Sequence, residues 1–161
     1  MNREELHRLF ETYCDDVFRL AYSYLGSRPD AEDVCQTVFL RLAEGRMRLQ
    51  PGKEKKWLLT CTANACRDLL RSFWRRNVGE LDENTPAAEE DWTLYQAVMI
   101  LPPKYRAVIH LYYYEGFDQG EIADILRISR TAVQTRMSRA RTMLKKELSD
   151  DAREISEHDG A

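Results

Sequence analysis

Thr131, Gln134, Thr135, Ser138 and Arg139 recur at steps of three and four near the C-terminal end of the chain. On a helix, that spacing gathers them on one side. Gln and Arg are the residue types that make paired hydrogen bonds to the edges of adenine and guanine. Arg130, Arg136 and Arg141 fall at the borders of this side, where a guanidinium can grip phosphate. Val133, Met137, Ala140 and Leu144 take the opposite side, as a core requires. Between Arg127 and Lys146 there is no Asp or Glu, although the chain as a whole carries a net charge of −3. Acids are excluded where phosphate is to be attracted, and the surrounding cations add affinity by releasing counterions.

A second set points to a different form of nucleic acid. Thr60, Asn64, Arg67, Arg71 and Trp74 share one helical face, with Arg75 and Arg76 beyond it. Exposed rings stack on unpaired bases while guanidinium groups hold the strand, so this face suits single-stranded better than duplex DNA. The apolar stripe opposite, Leu58, Cys61, Ala65, Leu69 and Phe73, is expected to be buried.

Catalytic chemistry finds no support. His7, His110 and His158 stand apart in sequence, and there is no phosphate-cradling loop or nucleophile–base pairing. Cys14, Cys35, Cys61 and Cys66 form no CxxC pair, which leaves them as free thiols, mostly buried. The expectation is no catalytic residue, no metal ligand and no cofactor.

The elements that must position these faces are helical. In 161 residues, 43% are apolar and 32% charged, with only 7 Gly and 5 Pro, a composition for an all-α fold. Leu6, Phe10, Tyr13, Val17, Leu20 and Tyr24 trace one helix face, ended by Gly26 and Pro29. Asp30 is the expected cap of a second helix with Val34, Val38 and Leu42 as its stripe. A third helix is predicted from about Lys53 to Arg76. Residues 80–91, ELDENTPAAEED, hold six acids and no base, and read as part of a flexible acidic linker. After it, Pro102 and Pro103 break one helix and open the next. Asp118 with Glu121 forms a capping box, and Ser129 caps a last helix from Arg130 to about Leu148. Two helices joined so tightly make a helix-turn-helix, whose second helix enters the major groove. The chain thus divides into a helical domain at 1–76, a linker at 77–90, a helix-turn-helix domain at 91–148 and an acidic tail at 149–161. No apolar run is long enough to span a bilayer, and no signal peptide is evident, so a cytoplasmic location is expected.

Three segments occur in order: DAEDVCQTVFLRL, WLLTCTANACRDLLRSFWRR, and LPPKYRAVIHLYYYEGFDQGEIADILRISRTAVQTRMSRARTMLKKEL. Together they resemble an extracytoplasmic-function (ECF) sigma factor of bacterial RNA polymerase, reduced to regions 2 and 4. The resemblance implies a chain that binds core polymerase and directs promoter recognition and initiation. It implies docking of Asp30, Asp33, Gln36 and Phe39 on the β′ clamp helices, and a further contact with the β flap. Asn64, Asp68 and Arg71 would read the melted minus-ten element. Ser129, Thr131, Gln134, Arg136, Ser138 and Arg139 would read the duplex minus-thirty-five element. An anti-sigma factor is the expected regulatory partner. The sequence departs from the family pattern at Arg127, where Gly is usual in the turn, at Thr37, where an acid is usual, and at Ala63, where Arg is common. The alternative reading is a polymerase-independent helix-turn-helix regulator.

Overall fold

The computed structural model describes residues 2–45, 49–76 and 97–159, with residues 74–76 and 150–159 described by backbone alone. The described residues are all helical or connecting, without strands: α1 (Arg3–Leu25), α2 (Arg28–Ala43), α3 (Glu54–Arg76), α4 (Pro103–Ile109), a π-helical turn (His110–Tyr114), α5 (Gln119–Leu126) and α6 (Arg130–Asp159). A helical turn at 97–100 precedes α4. The expected linker at 77–90 and the start of the second domain, residues 91–96, lie outside the described residues.

In the first body, α1 packs on both α2 and α3, which also pack on each other. Val17, Leu20, Val38, Leu42, Leu58 and Leu59 form its centre, each 2% exposed or less. The expected face of α1 is displaced at one position: Leu9 is buried while Phe10 is 46% exposed. Gly26 ends α1 at φ 67°, a left-handed conformation that glycine adopts without penalty. The expected start of α2 is corrected. Ser27 is the cap, its hydroxyl accepting from the Asp30 amide at 3.4 Å. Asp30 and Pro29 both lie inside the first turn, where Pro loses no hydrogen bond and a carboxylate faces the positive end of the dipole.

The second body is built on Val108, Leu111, Ile122, Ile125, Leu126, Val133 and Met137, all 1% exposed or less. Pro102 and Pro103 open α4 as expected. The helix then widens into a π turn, closed by the Glu115 amide on the His110 carbonyl at 3.1 Å. This turn buries Leu111 and leaves Tyr112, Tyr113 and Tyr114 exposed. The capping box of α5 forms with both arms: the Glu121 amide donates to Asp118 at 2.8 Å, and the Asp118 amide donates to Glu121 at 3.3 Å. The Glu121 amide holds the Asp118 carboxyl below its ordinary pKa. Arg127 ends α5 at φ 56° and ψ 46°, so the left-handed turn is kept without its glycine. Ser129 caps α6 through the Ala132 amide at 3.0 Å. Beyond Leu148, where the sequence was expected to leave the helix, α6 continues to Asp159.

The two bodies pack against each other, α4 on α1 and α5 on α3. Polar groups make much of that junction, and they bear directly on the candidate site.

Candidate nucleic-acid interface

The exposed side of α6 is the one its periodicity indicated. Val133, Met137 and Ala140 are buried against α4 and α5. Thr131, Gln134, Thr135, Ser138 and Arg139 face solvent, and so does Arg130. Arg136 is half-buried. Arg139 is drawn toward α4, where hydrogen bonding to the Tyr105 phenol lowers that phenol's pKa. Arg130 lies over α5: a Cβ added at Gly120 would stand 2.6 Å from its Nη2. Gly120 therefore leaves the space that this guanidinium occupies. Arg141 donates to the Tyr113 hydroxyl at 2.9 Å and sits over the rings of Tyr112 and Tyr113, 5.6 and 5.8 Å from their centroids. These contacts hold the basic border of α6 in defined positions rather than leaving it a loose fringe of charge.

On α3 the second face is assembled but engaged. Asn64 accepts from Arg67, and Arg67 also donates to the carbonyl of Leu126, the last residue of α5. Both are half-buried; Arg71, one turn on, is exposed. Trp74 falls in the last turn of α3, and its side chain lies outside the described residues. Phe73, expected in the core, is 41% exposed. Leu58 and Ala65 of the expected stripe are buried, Cys61 and Leu69 pack half-buried against the core, and Leu59, Thr62, Ala63 and Cys66 complete the buried stripe. Thr62 enters that stripe by returning its hydroxyl to the Leu58 carbonyl at 2.7 Å.

The four candidate docking residues lie along α2. Asp33 and Gln36 are exposed and Asp30 is half-buried. Phe39 is 7% exposed, its ring set edge-on to Phe10 with centroids 5.0 Å apart. Beside this pair lies a mostly apolar groove of about 530 Å³ lined by Arg3, Leu6, His7, Phe10, Gln36, Phe39, Leu40 and Ala43. Leu40, 64% exposed, is absent from the residues picked out in sequence. A signal for it was present: two positions after buried Val38, it must point away from the stripe.

No group of His, Cys, Asp or Glu that could hold a metal ion occurs among the described residues. All four cysteines are free thiols. Burial pushes the Cys35 thiol up to about 12 and raises Cys66 as well, so these are inert protonated side chains rather than nucleophiles. No helix among the described residues is long and apolar enough to cross a membrane.

Comparison with known proteins gives these faces a family. Residues 9–76 match the Sigma-70 region 2 family model, and residues 92–144 match that of Sigma-70 region 4. The RNA polymerase sigma factor CarQ of Myxococcus xanthus is 33% identical over 139 residues, covering 78% of this chain and 79% of CarQ. This chain is a sigma-70 family member, of the ECF group. The ECF RNA polymerase sigma factor SigE of Mycolicibacterium smegmatis is 30% identical over 163 residues, which cover 92% of this chain; the chain spans 63% of SigE. The fold is shared with the sigma factor RpoE of Bartonella quintana, solved with the anti-sigma factor NepR. There the TM-score is 0.76 and identity 21%, over 91% of this chain and 98% of RpoE. In sigma-factor terms, the exposed face of α6 belongs to region 4, while Asn64, Arg67 and the groove beside Leu40 belong to region 2. The packed bodies are regions 2 and 4 in direct contact.

Proposed function

We propose that this chain binds core RNA polymerase and directs it to promoters, supplying specificity without chemistry of its own. The observation that carries this is the exposed face of α6, where Thr131, Gln134, Thr135, Ser138 and Arg139 project from a rigid helix. Its opposite face is locked into the core by Val133, Met137 and Ala140. Such a face reads duplex bases in the major groove, with Arg130, Arg136 and Arg141 on phosphate. It is assigned to the minus-thirty-five element. The polar face of α3, with Asn64, Arg67, Arg71 and Trp74, is assigned to the melted minus-ten strand.

Docking on the β′ clamp helices is assigned to α2. Asp30, Asp33 and Gln36 supply polar contacts beside the groove of Phe10, Phe39 and Leu40, an acidic and apolar combination that fits a basic amphipathic partner. A further contact of region 4 with the β flap follows the same family pattern, and an anti-sigma factor is the expected antagonist. All of this work is in the cytoplasm. A free-standing helix-turn-helix regulator would have no need of the α3 face or the α2 groove.

The test is in vitro transcription with core polymerase and a randomised promoter library. Run-off products that appear only when this chain is added support the assignment, and their alignment yields both elements. Duplex binding without any core-dependent transcript overturns it.

A further inference from the structure

Gly120 stands in the first turn of α5, and its backbone is ordinary helix rather than left-handed. Its dihedral angles do not call for glycine, and glycine weakens a helix relative to alanine. The reason for it lies in what fills its side-chain space. A Cβ there would stand 2.6 Å from Nη2 of Arg130 and 3.4 Å from its Cζ, with Asp118 Oδ1 at 3.3 Å. The first of these separations is shorter than any contact a real Cβ makes.

Arg130 is the first residue of α6 and is exposed. Its guanidinium reaches from α6 to α5 and lies over the space that Gly120 leaves. The neighbouring Asp118 is engaged in the capping box, where it accepts from the Glu121 amide at 2.8 Å. That amide chiefly, and the charge of Arg130 in smaller part, hold the Asp118 carboxyl below its ordinary pKa. Gln134 follows Arg130 by four residues, about one turn along the same side of α6. A guanidinium seated on α5 thus stands next to the side chains assigned to base reading.

We propose that Gly120 is a positioning residue for duplex DNA: by lacking a side chain it seats the Arg130 guanidinium against α5, in place to hold a phosphate while Gln134 reads a base. This rests on the assignment of α6 to the duplex. A loose arginine must give up its rotamer freedom when it meets a phosphate. One already laid in a slot gives up less, and the charge of Asp118 favours that placement in the free chain. The seated cation in turn offsets a carboxylate that would otherwise repel the strand. Any larger residue at position 120 displaces the guanidinium without removing it. Duplex affinity therefore depends on a residue that brings no side chain to the DNA.

The experiment uses the full chain with Gly120→Ala, with Arg130→Ala and with both. The probe is a labelled pool of random-sequence duplexes, followed by fluorescence anisotropy across a salt series, while circular dichroism reads helix content and thermal stability. Each single variant is expected to weaken binding roughly three- to tenfold at physiological salt and to lower the salt slope by up to about one. The double variant loses no more than either alone, since both changes remove the same contact. Gly120→Ala leaves the melting temperature unchanged or higher, and gains more once Arg130 is also alanine, because the crowding is then gone. A loss in Arg130→Ala that Gly120→Ala does not share, or losses that add in the double variant, overturn the positioning role and leave the assignment of α6 standing. Binding that Arg130→Ala leaves unchanged removes Arg130 from the phosphate contacts and overturns the proposal with it. A wild type that binds no duplex at any salt overturns the assignment of α6 itself. Should Gly120→Ala lose helix content, isotope-edited NMR of the arginine Nε–H groups in wild type decides. An ordered Arg130 signal that shifts when duplex is added supports the seat, and a freely rotating guanidinium in the unbound protein overturns it.

Discussion

The guanidinium of Arg106 lies 2.8 Å from the Tyr24 carbonyl, and thereby caps the C-terminus of α1 with a residue from the other half of the chain. Arg106 is 8% exposed and also donates to the Met99 carbonyl at 3.1 Å. Hydrogen bonds from a charged donor are worth about 1.5–3 kcal/mol, and their loss inside a protein leaves carbonyls without partners. Arg106→Ala is expected to lower stability in urea by about 2–4 kcal/mol. Arg106→Lys should recover little of this, since one ammonium cannot reproduce the fork between Tyr24 and Met99.

On the proposed reading face of α6, Gln134→Ala and Arg139→Ala are each expected to cost about 1–3 kcal/mol in binding to a cognate minus-thirty-five duplex, with selectivity relaxed at one base position. Both side chains are exposed, so melting temperature should hardly move. Arg130→Ala is expected to weaken all duplexes alike and to reduce the salt slope by about one. Titrations across a salt series distinguish the two behaviours.

Arg127 occupies left-handed backbone at φ 56°, a conformation that costs a side chain on the order of 1 kcal/mol. Arg127→Gly should therefore stabilise the second body by about 0.5–1 kcal/mol, part of the gain being offset by the freer unfolded chain. Arg127→Ala, which keeps the Cβ, should give no such gain. Chemical denaturation of the three proteins in parallel measures the difference.

His110 is buried beside Arg19 and Lys55, and its pKa is lowered to about 4, with Asp16 acting in the opposite sense. Its ring stacks on Tyr114 with centroids 4.9 Å apart, and Nε2 is 3.8 Å from Glu115. A depressed imidazole favours the folded state while it is neutral. That contribution is complete above pH 6.5 and is lost as pH falls from 6.5 towards 4, to a total on the order of 3 kcal/mol. His110→Phe, which cannot titrate, should show a shallower decline in stability over this window. Burial raises the Glu115 carboxyl, the Lys55 ammonium opposes that rise and Asp16 adds to it, with a net upward shift, so that group works in the other direction: its contribution is greatest at low pH and fades as pH rises through the carboxylate range. The difference between wild type and His110→Phe isolates the imidazole.

Leu40 is 64% exposed in the groove on α2. Leu40→Asp is expected to weaken binding to core polymerase at least tenfold while leaving thermal stability within about 0.5 kcal/mol of wild type. Competition against a labelled sigma factor for core enzyme provides the measurement.

Much of the molecule could be read from residue types alone because helix periodicity and capping are local. Val133, Met137 and Ala140 declared the inner side of α6, Asp118 and Glu121 declared the start of α5, and the proline pair declared α4. What escaped depended on contacts distant in sequence. Ser27 displaced Asp30 as the cap of α2 because Pro29 could enter the first turn. Phe73 resembled a core residue by spacing, yet the stripe of α3 turned towards Leu59 and Cys66. The π turn at His110–Tyr114 has no compositional mark. Arg106 showed nothing in the sequence to set it apart from any surface arginine, since its partner Tyr24 lies 82 positions away. The exposed side of α6 was therefore legible by pattern, but not the engagement of Arg67 by α5.

The unbroken length of α6 fixes an electrical geometry. Thirty residues make a rod about 45 Å long. The first acid after Arg139 is Glu147, eight residues and about 12 Å further along the axis, beyond the screening length of about 8 Å in physiological salt. Its position on the rod keeps it from neutralising the guanidinium groups at the other end. A phosphate approaching Gln134 meets a locally positive molecule, whatever its isoelectric point.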